Sequence, residues 1–358
     1  MLFWQPFGAG TWLAHHIPMA QYQQYYGAVM PLRLFTILVC LCFALPSAQA
    51  ATQLVVYTAI EPELLPLYTK AFEEENPDIS LHWVRDSAGN ILAKLLAERN
   101  APKADVVFGL SLNALMRLSD EAMLEPYITQ GLEAVSPQMQ DTAEEPVWTA
   151  LNAWGGAMCV NTEELQRRNL PVPAAWNDLA KPKYKGAISM ASPLSSSTAL
   201  LNVNGWLQLW GEKKAWKFMQ ALNKNIASYP NHGCQPCQMA AKGEIAIGIA
   251  AETCVNVMDN KPAALQIIQP GEGIGWDFET AALLKNSAHP EEAKALIDFA
   301  VSPQAADIAI EFGFIPSLAA KQTAASKRTL SLFLPIDPEK AGAAREAILK
   351  EWGKRFGN

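Results

Sequence analysis

Short β-rich runs alternate with amphipathic helical runs in the segment that begins near Leu54. Residues 54–57 and 79–84 predict strands, and residues 87–100 predict a helix with one apolar face. A third short strand is predicted at residues 106–108. A β-α-β-α-β order places successive strands in one mainly parallel sheet with helices on both faces. The sequence therefore predicts an α/β fold.

The composition supports a packed protein of more than one domain. The 358 residues are enough for two domains of ordinary size. Half of the residues are apolar and 18% are charged, which excludes a disordered, collagen-like or coiled-coil chain. Acidic residues outnumber lysine and arginine by 35 to 28, and no dense basic cluster occurs, so we expect no nucleic-acid partner.

The amino-terminal segment has the features of a secretory signal peptide. Its only charged side chain is Arg33, and an apolar run follows at residues 34–45. That run is shorter than the ~18–20 residues that span a bilayer. We expect a signal peptide at about residues 30–50, cleaved at its end, behind an upstream extension. Whether translation starts at Met1 or Met30 stays open. The mature chain is expected in the periplasm.

The cysteine pattern predicts disulfide bonds in the exported chain. Two of the six cysteines lie in the predicted signal peptide and four follow it. An even number of cysteines in an oxidising compartment favours disulfides, but four cysteines allow three pairings. A C-x-x-C pair also leaves a periplasmic thiol oxidoreductase open as an alternative. The four candidates are Cys159, Cys234, Cys237 and Cys254.

A run of four hydroxyl residues, SSST at 195–198, precedes a predicted apolar helix at residues 199–210. The first N–H groups of a helix have no internal acceptor, and the helix dipole is positive there. Hydroxyl groups beside these N–H groups form a site for phosphate, phosphonate or carboxylate. The alternative is an ordinary helix cap, which needs only one of the four residues.

Several carboxylates lie near the ends of predicted strands, where ligands of α/β proteins bind. Each alone is a cap or a surface acid, but together they can accept an ammonium group. His232 and Trp154 are a candidate loop ligand and a candidate aromatic wall. No catalytic or nucleotide-binding motif occurs, so we expect neither an enzyme nor a bound cofactor or metal. The carboxylates are Glu61, Asp86, Glu252, Asp277 and Glu279.

Several segments resemble ABC-transporter substrate-binding proteins assigned to 2-aminoethylphosphonate, within the ferric-type periplasmic binding protein superfamily. The resemblance implies a type II periplasmic binding protein with two α/β lobes, a hinge and a ligand cleft between the lobes. Lobe 1 is expected to comprise residues 51–154 and 276–321, and lobe 2 residues 155–275 and 322–358. The segments are VVYTAIEPE, WVRDSAGNILAKLLAE, ADVVFGL, AWGGAMCVNT, PLSSSTALLNVNGWLQLWG, GWDFETAALLK and EWGKRF.

The resemblance also implies a ligand. Ferric-binding relatives carry two tyrosines where this chain has Glu252 and Thr253, so the anion half of their site is retained and the metal half replaced by carboxylates. An anionic head and a cationic tail describe 2-aminoethylphosphonate, delivered by a monomer to an inner-membrane ABC permease. The alternatives are another phosphonate, a phosphorylated metabolite, or ferric ion with a synergistic anion.

The expected ligand contacts divide into three groups. The phosphonate would be bound by hydroxyl groups with His232 assisting, the ammonium by carboxylates, and Trp154 would form a wall of the cleft. The hydroxyl residues are Thr58, Ser196, Ser197 and Thr198, and the carboxylates are Glu61, Glu252 and Asp277.

Overall fold

The computed structural model describes residues 51–258, 261–335 and 338–357. The expected signal peptide and upstream extension lie outside the described residues. No helix in the described ranges is both long and apolar enough to cross a membrane.

Eleven strands of the described ranges join in one sheet. The main path runs β2-β1-β3-β10-β5-β8-β6-β7, with β4 added to β10 and with β9 and β11 added to β5. The strands are β1 (Thr52–Thr58), β2 (Ile79–Arg85), β3 (Val106–Ser111), β4 (Leu124–Glu125), β5 (Thr149–Asn161), β6 (Ile188–Met190), β7 (Ile226–Ser228), β8 (Ile247–Ala251), β9 (Leu265–Ile268), β10 (Trp276–Leu284) and β11 (Ile315–Pro316).

Helices connect these strands and cover the sheet. They are α1 (Leu65–Glu75), α2 (Ala88–Ala97), α3 (Leu112–Asp120), α4 (Thr162–Arg167), α5 (Ser197–Asn223), α6 (Gln235–Ala241), α7 (Pro290–Phe299), α8 (Pro303–Glu311), α9 (Ala324–Leu330) and α10 (Pro338–Phe356). Within α5, Gly211 has a φ of 71° and divides the helix into two segments. The first segment ends where the predicted apolar helix of residues 199–210 ends.

The amino-terminal strands pair as their order along the chain predicts. Strand β1 is parallel to both β2 and β3. Strand β10, however, is antiparallel to β3 and β5. The prediction of a mainly parallel sheet is therefore correct only locally. Helical crossovers fix the direction of β1 to β3, whereas β10 enters the sheet from far along the chain.

Strand β5 connects the two parts of the sheet. All 13 of its residues are buried. Its first half pairs with β10 from Thr149 to Gly155, and its second half pairs with β8 from Gly156 to Val160. The expected boundary between lobes falls at this change of partner. The division into lobes itself stays a prediction.

The terminal helix α10 contacts both parts of the molecule. Near its carboxyl end, Trp352 is buried and packs edge-on against Tyr229. Nearer its start, Glu346 forms an ion pair with Arg117 of α3. The sequence places this helix on the second lobe alone, whereas the structure also joins it to the amino-terminal part.

Candidate functional site

A cleft opens where the carboxyl ends of β1 and β3 face the start of α5. Its empty space is about 490 Å³, including the part open to solvent. The lining residues are Ala59, Glu61, Gly109, Ser111, Trp154, Ser197, Thr198, Cys234, Ala251, Thr253, Cys254, Val257, Glu279 and Phe314.

The anion end of the cleft, defined here as Ser196 to Thr198, is the first turn of α5. Ser196 is the helix cap, and its hydroxyl accepts from the Ala199 N–H at 3.3 Å. The side chains of Ser197 and Thr198 line the cleft. Among the described residues, the backbone N–H groups of these two residues meet no acceptor. The turn thus combines free donors with the positive end of the first segment of α5, which runs from Ser197 to the break at Gly211.

Gly233 packs directly against this turn. A Cβ atom at Gly233 would lie 2.5 Å from Thr198 Oγ1 and 3.0 Å from Ser196 Oγ. The position therefore accommodates only glycine without displacing the hydroxyl groups. The neighbouring His232 lines an outer chamber of the cleft together with Glu61 and Arg85.

The acidic end of the cleft contains Glu61 and Glu279. Arg85 donates to Glu61 at 3.0 Å and to the Ile60 carbonyl at 3.1 Å. Burial raises the pKa of the Glu61 carboxyl, and the charge of Arg85 partly offsets that rise. Glu61 in the cleft lining is therefore paired with a cation, Arg85, which lines the neighbouring cavity.

Glu279 lies in the same wall and is 8% exposed. Its carboxyl accepts from Asn152 Nδ2 at 2.7 Å. Burial raises the pKa of Glu279 to about 8, and the charge of Glu61 adds to the rise. A large fraction of this carboxyl is therefore protonated at neutral pH in the structure as it stands.

The other three predicted carboxylates lie outside the cleft lining. Asp86 accepts from Asn90 Nδ2 at 3.0 Å. Glu252 accepts from the Gly155 N–H at 2.9 and 2.8 Å through its two oxygens, and burial raises its pKa to about 8. Asp277 accepts from the Leu112 N–H at 3.1 Å, and burial raises its pKa to about 7. Asp277 therefore caps α3, and its oxygens are already engaged.

Two further predicted residues differ in position. Thr58 is fully buried, and its hydroxyl accepts from the Ile60 N–H at 3.1 Å, which stabilises the turn after β1. Trp154 lines the cleft and is 6% exposed, as expected of a wall. Thus the cleft brings together Glu61, Trp154, Ser197 and Thr198, and leaves Thr58, Glu252 and Asp277 behind it.

The four cysteines form two disulfides, Cys159–Cys237 and Cys234–Cys254. The C-x-x-C pair is thereby divided between two different bonds. A redox couple of Cys234 with Cys237, the thiol oxidoreductase alternative, is not supported by this pairing. Cys234 and Cys254 instead line the cleft.

Sequence reasoning missed Arg85, Ser111 and Phe314, and it named Glu279 without assigning it a contact. All four lie in or beside the cleft. Only the pairing of strands places Glu279 opposite Ser111, so local sequence carries no signal for that neighbour. Across the described residues, no group of three or more histidine, cysteine or acidic side chains is placed to bind a metal ion.

Comparison with known proteins places the chain among solute-binding proteins. The sequence model of a family described as bacterial extracellular solute-binding protein matches residues 101–335. An uncharacterized protein of Haemophilus influenzae is 31% identical over 317 residues, which are 86% of this chain and 91% of that protein. The phosphoglycerate transport regulatory protein PgtC of Salmonella typhimurium is 26% identical over 259 residues, which are 72% of this chain and 64% of PgtC.

Solved structures of periplasmic binding proteins are also similar to this chain. The periplasmic binding protein AfuA from Actinobacillus pleuropneumoniae, solved with exogenous fructose-6-phosphate bound, has a TM-score of 0.80 and 29% identity, covering 86% of this chain and 99% of AfuA. Iron-bound HitA from Pseudomonas aeruginosa has a TM-score of 0.72 and 18% identity, covering 84% of this chain and 99% of HitA, and so shares the fold.

These matches confirm the predicted fold class, an α/β type II periplasmic binding protein. The matched relatives with a stated role are binding or transport proteins, in agreement with the expectation that the chain is not an enzyme. The family match covers more than half of the chain. The chain belongs to the family of bacterial extracellular solute-binding proteins.

Proposed function

We propose that this protein captures a small organic phosphate or phosphonate in the cleft and delivers it to an ABC permease of the inner membrane. The observation that carries the proposal is the anion end. Two backbone N–H groups without an acceptor among the described residues and two hydroxyl side chains face one cavity. Such a helix start is suited to an oxyanion with several acceptor oxygens.

The rest of the cleft suits an organic tail rather than inorganic phosphate alone. Trp154 and Phe314 supply apolar wall, and the acidic end supplies acceptors. Inorganic phosphate at the anion end would leave these carboxyl groups without a partner, whereas a tail with hydrogen-bond donors would satisfy them. The ligand therefore has its phosphoryl group at Ser197 and Thr198 and its donors at the acidic end.

Two ligands of this class have separate support. A phosphorylated metabolite is supported by AfuA, whose structure was solved with fructose-6-phosphate, and by PgtC, whose name refers to phosphoglycerate transport. Neutralisation of Glu61 by Arg85 also suits an uncharged hydroxyl-bearing tail. 2-Aminoethylphosphonate is supported by the sequence resemblance and by the carboxyl groups at the acidic end.

The transport cycle follows from the predicted lobes. We infer that a monomer closes around the ligand, because contacts to both cleft walls stabilise a closed arrangement. Gly89 of α2 donates to the Ser195 carbonyl at 3.1 Å and so already joins the two walls. Export by a cleaved signal peptide would place the protein in the periplasm, beside its permease.

Calorimetric titration of the chain from Ala51 tests the proposal. The probes are fructose 6-phosphate, 2-aminoethylphosphonate and inorganic phosphate. The Thr198→Ala variant should bind the preferred organic probe more weakly by about 1–3 kcal/mol, the value of a charge-assisted hydrogen bond. Thr142→Ala, at an exposed threonine outside the cleft lining, is the matched control. Unchanged affinity in Thr198→Ala, or no binding of either organic probe, would contradict the proposal.

A further inference from the structure

Three polar side chains form a row across the sheet beneath the cleft. Glu279 of β10 lies opposite Ser111 of β3 on one side and opposite Asn152 of β5 on the other. Directly opposed residues of neighbouring antiparallel strands have side chains on the same face. Ser111, Glu279 and Asn152 are called the acceptor row below.

The acceptor row is buried and incompletely hydrogen-bonded. Ser111 is 2% exposed, Asn152 is 0% and Glu279 is 8%. Within the described chain, Ser111 Oγ and Asn152 Oδ1 have no hydrogen-bond partner, and the Glu279 carboxyl meets only Asn152 Nδ2. A buried polar atom without a partner costs about 1–3 kcal/mol. Two such atoms on either side of one buried carboxyl therefore need a shared explanation.

The row opens into the cleft and not into the core. Ser111 and Glu279 line the same cavity as Ser197 and Thr198. Asn152 is not a lining residue, and its amide instead orients the Glu279 carboxyl. Ser111 is thus an unpartnered, almost fully buried hydroxyl in a ligand cavity, and Glu279 is an acceptor beside it.

The chemistry of the row selects for hydrogen-bond donors. A carboxyl oxygen and a hydroxyl oxygen both accept, and in the described residues no basic side chain is paired with Glu279. An apolar tail would leave these acceptors unpaired, and an anionic tail would bring no hydrogen-bond donor to them. A hydroxyl or an ammonium group satisfies them.

We propose that Ser111 and Glu279, with Asn152 positioning Glu279, form a specificity subsite for a hydrogen-bond donor on the ligand's tail. The proposal rests on the proposed function, because it assumes that the phosphoryl head occupies the anion end. It replaces Asp277 by Glu279 as the acidic partner of the tail, and it adds Ser111 as a second contact.

Two matched pairs of probes test the subsite in the unmodified protein. Glycerol 3-phosphate differs from propyl phosphate by two hydroxyl groups, and 2-aminoethylphosphonate differs from ethylphosphonate by an amino group. Calorimetry should give at least one donor-bearing probe an advantage of about tenfold or more over its partner. The pair that shows the advantage identifies the donor as hydroxyl or ammonium.

Variants separate the subsite from the anion end. Ser111→Ala should reduce the donor advantage to less than about threefold, because it removes a hydroxyl that contacts the donor on the tail. Ser119→Ala, outside the cleft lining, is the matched control. Glu279→Gln should retain a hydroxyl advantage but abolish an ammonium advantage, since the amide keeps an acceptor oxygen and loses the charge.

The outcomes distinguish the two proposals. Equal affinity within both pairs of probes would overturn the subsite and leave the anion end intact. A donor advantage that persists in Ser111→Ala and in Glu279→Gln alike would also overturn it. If neither these four compounds nor fructose 6-phosphate binds, the proposed function is overturned, and the subsite with it. If fructose 6-phosphate alone binds, the comparison of wild type with Ser111→Ala and Glu279→Gln is made with that probe, and unchanged affinity in both variants would overturn the subsite alone.

Discussion

The two ends of the cleft are built in different ways. The anion end is one continuous segment, Ser196 to Thr198, and its donors follow from where a single helix begins. The acidic end is assembled from β1, β2 and β10, which are far apart in the chain. A continuous site depends on local conformation, whereas an assembled site depends on strand register. Substitutions that disturb the start of α5, the strand register or a disulfide should therefore affect the two ends differently.

The largest effects are expected from the two disulfides, of which only Cys234–Cys254 lies in the cleft wall. Removing Cys234–Cys254, with a separation of 20 residues, should lower the free energy of unfolding by about 3 kcal/mol by the loop-entropy estimate. The buried Cys159–Cys237 bond, with a separation of 78 residues, should cost about 4–5 kcal/mol. Urea unfolding of the two double-alanine variants measures both values.

The disulfides also sharpen the comparison of the two ends. Cys234 follows Gly233, which packs on the anion end, whereas Cys159 and Cys237 are fully buried away from the lining. Loss of Cys234–Cys254 should therefore weaken binding of ethylphosphonate, whereas loss of Cys159–Cys237 should change stability alone. Equal binding losses in both variants would mean that the bonds act only through global stability.

A smaller effect on the free energy of unfolding is expected from a change of pH, and it comes from buried carboxyl groups. Burial raises the pKa of Glu252 and of Glu279 to about 8. The folded state then binds more protons than the unfolded state. The contribution of each group to the free energy of unfolding is therefore complete below the pKa of that group in the unfolded chain, and it is lost as the pH rises through the folded-state pKa of about 8. Each group should lower the free energy of unfolding by about 2–3 kcal/mol between pH 6 and pH 9.

Urea unfolding at several pH values measures this slope. Glu252→Gln and Glu279→Gln should each flatten it, and the exposed Glu144→Gln is the control. Thr198→Ala should leave the slope unchanged, because the anion end contributes no carboxyl group. A wild-type protein that is more stable at pH 9 than at pH 6 would contradict the burial of these acids.

The same contrast explains how much of the molecule its sequence could predict. The parallel pairing of β1 with β2 and β3, the start of α5 and the break at Gly211 all follow from local patterns, and each is observed. The antiparallel entry of β10 and the length of β5 are set by pairing between distant segments. Asp277 and Glu279 are two residues apart on β10, but of the two only Glu279 lines the cleft. Asp277 instead caps α3, and this difference depends on strand register and on the position of α3.

The smallest effect is expected at Gly233, and it separates the two ends most directly. A Cβ atom there would lie 2.5 Å from Thr198 Oγ1, so Gly233→Ala must displace the hydroxyl or the loop. Ethylphosphonate and 2-aminoethylphosphonate should both bind about tenfold more weakly, because each loses one bond to the shared head group. Their ratio should not change, since the acceptor row is untouched. Gly271→Ala, where a Cβ atom meets nothing within 4 Å, is the matched control. A changed ratio would mean that the two ends are coupled and that head and tail are not recognised independently.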